Sequence, residues 1–495
     1  MPPSAGGGPA PAALRLGLRD GVAAGRTADG GLVLDGAGVR FSLGRPGAGL
    51  RAALHRLTTT GEEEGRLADL VGGADGPAGL ARLYYLLRRL EQRGLLTWTA
   101  VGGGGPLATL VPTSSAFAYA GRRPNADRSY LLSRFAYTRR RGGELVLESP
   151  LAHGRVVLHD GRVASLLHAL ATPGSVADVA ARCPALAVEE QAPLLILLLN
   201  GDLLVERSAG GAAAADEERE DESPALRTWE FHDLLFHARS RNGRHDEPVG
   251  GTYRFLGRLP PPPALRPVSA ERSVELYRPS LERLEREDAP YARVQEARAS
   301  VRAYGDRPIS DRQLGEFLYR VARVRQRGTV AAESPQGSAP SVPMELATRP
   351  YPGGGALHEL ELYAAVNACD GVPPGLYHYD PLGHRLSLRC GRTPDVEALL
   401  RYAGMSIGAP PERLQVLLVL AARVPRVAWK YASVAYALVL KDVGVVFQTM
   451  YLAATAMGLA PCALGGGDAD LFARAAGTDY YAESSVGEFL LGSRL

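Results

Sequence analysis

Cysteine is scarce in this chain and never paired. Cys183, Cys369, Cys390 and Cys462 are scattered over 495 residues without a CxxC spacing. That argues against a disulfide framework and for a reducing, cytoplasmic compartment. The ten histidines form no HExxH pattern, and His232 and His237 stand five apart, the wrong interval for two ligands on one helical face. No metal site is expected. There is no Walker-type phosphate loop and no G-x-G-x-x-G. The net charge is only +3, too small to point to nucleic acid or a membrane surface as partner. The opening MPPSAGGGPAPAALRLGL lacks a basic start followed by an apolar core, so no signal peptide is read. Val443 to Ala460 is uncharged and long enough to suggest a membrane span, but it holds Gln448, Thr449 and Thr455 and follows Lys441 and Asp442. It is expected to be a helix buried all round in a core.

What is present is ordinary for a globular protein: 46% hydrophobic and 22% charged residues. The length suggests about three domains. The clearest seam is AGGAAAADEEREDESPA, residues 209–225, which has no apolar periodicity and reads as a linker. Before it, one pattern occurs twice. LYYLLRRL (83–90) is a helical stripe, Gly94 stops it and LLTWTA follows as a strand; PLLILLL (193–199) is stopped at Asn200-Gly201 and followed by LLVE. Helix, stop and short strand is how winged-helix units end. Upstream of the second copy, GELVLESP and GRVVLHDG read as paired strands, RVASLLHALATPG as a helix, and SVAD from Ser175 as a capping box. Two winged-helix-like units are therefore expected, over residues 1–120 and 121–208. A DNA-binding role is the competing reading, supported by Arg82, Arg88, Arg89 and Arg93 in the first unit. The acidic, apolar VEEQAPLLILLLNGD of the second suits a peptide better, taken up by strand addition.

Residues 226–495 read as a mixed α+β domain. Arg298, Ser300 and Arg302 in EARASVRAY could hold a phosphate, the two arginines sharing a face if the stretch is helical. RPYPGGGALHELELYAAV contains Pro352, Gly353, Gly354 and Gly355, and such consecutive glycines let backbone approach a flat ligand. GLYHYDPLGHRLSLRC (375–390) reads as a hairpin, and LQVLLVLAARV (414–424) as a buried strand. In VAWKYASVAYAL, Lys430 and Tyr431 are neighbours, so one site can use both only where the backbone is irregular. APCALGGGD brings Leu464, Gly465 and Gly466, and Arg494 near the end is a third candidate phosphate contact. Taken singly, each of these is as well explained by a solvated helix face, an ordinary loop or core packing. Cys462, His358, His378 and His384 are read as structural.

Together these blocks, in this order, resemble the nitroreductase-like flavoprotein fold and its SagB-type branch, the azoline dehydrogenases of thiazole/oxazole-modified peptide pathways. TWEFHDLLFHARSRNGRHDEPVGGTYRFLG (228–257) resembles the leading segment of that branch, and the N-terminal units resemble a leader-peptide clamp. The resemblance implies FMN at the interface of a homodimer. Arg298, Ser300, Arg302 and Arg494 match the phosphate and ribityl positions, Pro352 to Gly355 and Leu464 to Gly466 the loops on the ring system, and Lys430 and Tyr431 the pair implicated in chemistry. The family loop commonly reads Pro-Ser-Gly-Gly, and this chain lacks the serine hydroxyl.

The implied reaction oxidises a thiazoline or oxazoline of a ribosomally made precursor peptide to the aromatic azole. One ring carbon loses a hydride to flavin N5 and its neighbour a proton to a base. Lys and Tyr ordinarily titrate near about 10, too high for a neutral-pH base, so one of Lys430 and Tyr431 is expected to be the base and the other to tune it. A cyclodehydratase is an implied partner; nucleic acid, membrane and metal are not. Two further readings stand beside this one: a general NAD(P)H-dependent nitro- or quinone reductase, and a non-catalytic winged-helix peptide- or DNA-binding protein.

Overall fold

The turn chemistry of the N-terminal half is realised in the structure, a computed structural model that describes residues 12–28, 31–36, 39–208, 220, 223–268, 272–333, 337 and 340–495. Most of the expected 209–225 linker lies outside the described residues. The chain divides into two units, residues 1–247 and 248–495.

In the first unit, helices Ala48–Thr59 and Glu64–Glu91 precede strands Leu96–Gly102 and Gly105–Pro112. The second helix breaks at Gly76 (φ 67) before Pro77, whose ring cannot continue a regular hydrogen-bond ladder. Gly94 (φ 64) ends it as expected. In the second copy the left-handed residue is Asp202 (φ 53), one beyond Gly201, whose φ is −85. The capping box at Ser175 and Asp178 is present.

The two winged-helix-like halves are not separate bodies. Strands Tyr137–Arg141, Glu144–Glu148 and Gly154–Leu158 join Ala13–Leu18, Leu96–Gly102 and Gly105–Pro112 in one six-stranded antiparallel sheet. One core runs from Leu16 to Leu204. The unit also extends past the boundary expected at residue 226. Asp246 receives Arg155 at 2.7 Å and Arg19 at 2.5 Å, Glu247 receives Arg141 at 3.0 Å, and Arg239 reaches Glu148 at 2.8 Å. Arg89 and Arg93, candidates for a phosphate-facing surface, lie over the Phe41 ring at 5.1 and 5.2 Å.

The second unit is built on a seven-stranded antiparallel sheet. In spatial order its strands are Ser273–Glu275, Arg385–Cys390, Gly375–Asp380, Leu360–Val366, Val416–Ala422, Ser484–Ser493 and Leu459–Ala463. Both faces are covered, so central strands read as unbroken apolar runs. Leu418 and Leu420 enter one core with Val439, Val443, Val446 and Met450 of the helix Ala435–Ala456. Leu417 and Val419 enter the other, with helices Pro394–Ile407 and Ala469–Ala476.

One condition is not met here, and one expectation fails. Helix Tyr291–Ala297 stops before Arg298, which is extended (φ −61, ψ 123), so Arg298 and Arg302 do not share a helical face. The helix Ala435–Ala456 is long and apolar enough to cross a membrane, yet it is not buried all round: 39% of its most apolar 18 residues are buried. Its sheet side packs, while Tyr436 and Leu440 remain 47% and 41% exposed.

Candidate active site

The glycine run opens between strands Val342–Thr348 and Leu360–Val366. Gly355 takes φ 61, and Ala356 and His358 also have positive φ, so this stretch is sharply bent. A Cβ at Gly355 would collide with the Tyr431 hydroxyl and lie 2.8 Å from Lys430 Nζ. Glycine is needed there twice, for the left-handed conformation and for the close approach. Lys430 ends helix Val424–Lys430 and Tyr431 opens the short strand Tyr431–Ala432, so the backbone changes direction between the two. Both side chains therefore meet one loop, as the irregular-backbone expectation required. Trp429 is buried behind them and its indole N–H donates to the Leu259 carbonyl at 2.9 Å.

The loop is held from below. Asp442 of the long helix accepts the Gly354 N–H at 2.8 Å. Glu359 is 1% exposed, and its carboxyl shares a hydrogen bond with that of Asp442. Burial, then the charge of Asp442, pushes its carboxyl up to about 7, and burial also raises Asp442. Two carboxyls this close in apolar surroundings do not both ionise readily. Burial, with the Arg349 and Arg426 charges, pushes His358 down to about 4, which keeps it neutral. His378 bonds the buried Glu361 at 3.0 Å, and His384 bonds the Tyr379 hydroxyl at 2.8 Å. All three histidines are thus packed into the fold.

The other expected residues gather around strand Leu459–Ala463. The Arg298 guanidinium lies 5.2 Å over the Tyr451 ring, and Ser300 Oγ is 2.7 Å from the Tyr451 hydroxyl, which also accepts the Ala463 N–H at 2.8 Å. Val301 N–H donates to the Pro461 carbonyl. Arg298 itself is extended, and no helix or strand runs from Arg298 to Arg302. Arg302 bears on Cys462, whose thiol is nevertheless pushed up by burial. Arg494 donates to the Leu459 carbonyl at 3.1 Å. Leu464 is buried, with its N–H on the Glu488 carbonyl, and a Cβ at Gly465 or Gly466 would meet nothing within 4 Å. This set offers guanidinium and hydroxyl donors beside bare glycine backbone, which fits a phosphate ester joined to a flat ring.

Within one chain the two groups lie apart. Asp442 supports the glycine–Lys–Tyr group and Tyr451 the arginine group. Nine residues at 100° per step put them on opposite flanks of the helix, and about 14 Å apart along its axis at 1.5 Å per residue.

Asp442, Glu359 and Tyr451 carry no motif that sequence reading could catch. Lys430 does carry a second signal. Only Lys430 and Lys441 among the 56 cationic side chains are lysine; the other 54 are arginine. A position needing charge alone is filled by arginine almost everywhere in this chain, and the two residues differ in chemistry. Among the described residues one group, Glu230, His232 and Asp233, has metal-ligand spacing, and all three are exposed.

Residues 11–120 match the family model of the ThcOx helix turn helix domain, residues 130–246 that of the cyanobactin oxidase ThcOx, and residues 296–492 that of the nitroreductase family. A Methanocaldococcus jannaschii protein named as a candidate nitroreductase is 28% identical over 194 residues, which is 39% of this chain and 84% of that protein. Among solved structures, the Escherichia coli microcin synthetase McbBCD complex with truncated pro-MccB17 bound is 19% identical, with a TM-score of 0.33, covering 53% of this chain and 91% of that one. A candidate nitroreductase in complex with FMN, from Desulfovibrio desulfuricans, is 15% identical with a TM-score of 0.27, covering 42% and 87%.

Proposed function

We infer, from a chain that joins ThcOx-type helix-turn-helix and oxidase portions to a nitroreductase-family domain, that this oxidoreductase is an FMN-dependent azoline dehydrogenase acting on a ribosomally made peptide. The observation that carries the reading is the contact of bare Gly355 backbone with Lys430 and Tyr431, in a chain with one other lysine among its 56 cationic side chains.

Arg298, Ser300, Arg302 and Arg494 would hold the phosphate and ribityl chain. Gly353 to Gly355 and Leu464 to Gly466 would face the ring system, with Pro352 ahead of the first loop. When bound, FMN supplies the acceptor for a hydride. The azoline ring then gives up one proton from the neighbouring carbon, which Lys430 or Tyr431 takes, and the product is aromatic. The separation of the two groups across the long helix supports a homodimer, in which one copy's arginine group meets the other's glycine–Lys–Tyr group. The exposed apolar residues Tyr436 and Leu440 on that helix fit such a pairing. The N-terminal unit would hold the leader of the precursor peptide, and a cyclodehydratase would supply the azoline.

The test is an absorbance spectrum of the purified protein, followed by turnover of an azoline peptide. About one FMN per chain and azole formation are expected, and Lys430→Ala should lose turnover by roughly 10²- to 10⁴-fold while keeping its flavin. A colourless protein that takes up no added FMN would remove the reading. Rapid flavin reduction by NADPH without azoline oxidation would favour a nitro- or quinone reductase.

A further inference from the structure

Tyr253 has a backbone that bulky residues rarely adopt, with φ 50. It follows the two-residue strand Gly250–Gly251, which pairs with Tyr431–Ala432. Its own N–H donates to the Lys430 carbonyl at 3.0 Å. Ser433, also at positive φ (59), donates from Oγ to the Pro248 carbonyl at 2.8 Å. The segment 248–253 therefore clamps the junction at which the helix ends and the strand begins. The unusual φ turns the Tyr253 side chain back onto that junction. Its ring stands edge-on to Trp429, with centroids 5.9 Å apart at 90°. Lys430 Nζ lies 5.6 Å from the Tyr253 centroid and 5.2 Å from that of Tyr431. An ammonium within about 6 Å of a ring centroid is attracted by the ring quadrupole.

We propose that Tyr253 is a positioning residue for Lys430: its ring and that of Tyr431 hold the lysine amine between them, facing Gly355, while its backbone fixes the 430/431 junction. The proposal rests on Lys430 and Tyr431 being the reactive pair. Its geometry stands without that reading, and the test separates the two.

The scarcity of lysine makes the test direct, because Lys430 and Lys441 are the only side-chain amines in the chain. Lys441 is exposed on the long helix and serves as an internal reference. The full-length protein, wild type, Tyr253→Leu and Tyr253→Phe, is acylated with an amine reagent, and modification of each lysine is followed by mass spectrometry. Thermal melting and added-FMN uptake of each variant are measured alongside. Tyr253→Leu removes the ring, so Lys430 should label about 3- to 30-fold faster, the span of a cation–π contact, with Lys441 unchanged. Tyr253→Phe keeps the ring and should recover the wild-type rate. In turnover, Tyr253→Leu should lower kcat by a similar factor with KM unmoved, and Tyr253→Phe should recover most of it. Unchanged Lys430 labelling in Tyr253→Leu overturns the proposal, as does a Phe variant as altered as the Leu variant. Faster labelling with wild-type turnover upholds Tyr253 as the holder of Lys430 and instead removes Lys430 from the chemistry.

Discussion

Gly355→Ala isolates the contact on which the active-site reading rests. Two costs follow from the structure. The residue sits at φ 61, and an alanine forced into the left-handed region costs roughly 1–2 kcal/mol. Its Cβ would also lie 2.8 Å from Lys430 Nζ, closer still to the Tyr431 hydroxyl, where atoms at rest in contact stand about 3.5 Å apart. Either the loop or the Lys–Tyr pair must therefore move by about 0.7 Å or more. Neither can give easily: Asp442 holds Gly354 from one side, and the short strand with Gly250–Gly251 holds Tyr431 from the other. The folding cost should appear as a melting temperature lower by about 2–8 °C, the scale for a unit of this size. The catalytic cost should be larger, because a misplacement near 1 Å can cost on the order of 100-fold in rate. Melting by circular dichroism and steady-state azoline turnover read the two separately. A variant that melts a few degrees lower but turns over like wild type would refute the reasoning, since it would show that the Gly355 contact does not set the geometry of the reaction.

Three other outcomes are expected. On the proposed function, Arg298→Ala would remove a charge-assisted phosphate contact worth about 1.5–3 kcal/mol, so FMN uptake followed by fluorescence should weaken roughly 10- to 100-fold. Glu359 sits at about 7 in the fold against an ordinary 4.5, because of burial and the nearby Asp442. The folded state therefore holds a proton that the unfolded state has lost between about pH 4.5 and 7, and stability falls as pH rises through that window. Glu359→Gln should flatten this dependence in denaturant unfolding at pH 5 and pH 8; an unchanged pH dependence would count against the buried carboxyl pair. On the proposed pairing the wild-type protein is a dimer by light scattering, and Leu440→Asp, which places a charge on the exposed apolar face of the long helix, should be a monomer; an unchanged mass would argue against pairing through that face.

Much of the fold was legible because local rules agreed with tertiary ones. The Ser175 capping box, the Gly94 stop, the 375–390 hairpin and the apolar strand Val416–Ala422 are each set by residues close in sequence or by burial on both faces. Long-range pairing was not legible. Nothing in YTRRR or ELVLE shows that these strands complete a sheet begun at Ala13–Leu18, so the single core shared by the two winged-helix-like units was not legible. The conformation at Arg298 was left open by the sequence for a related reason: the main chain there is tied to the strand Leu459–Ala463, a tertiary bond that local preference does not show.

The sequence by itself determined the chemistry on offer: glycines where backbone must come close, arginines and a serine for an anion, and a lysine beside a tyrosine in a chain almost devoid of lysine. Residue type and spacing settle this, because they are local properties. Only the tertiary structure decided which of these meet. It placed Gly355 on Lys430 and Tyr431, set Asp442 and Glu359 beneath the loop, brought Tyr253 back to the Lys430 junction from far along the chain, and put the arginine group on the opposite flank of the long helix. Those juxtapositions depend on strand order and helix phase, which arise only when distant segments bury one another.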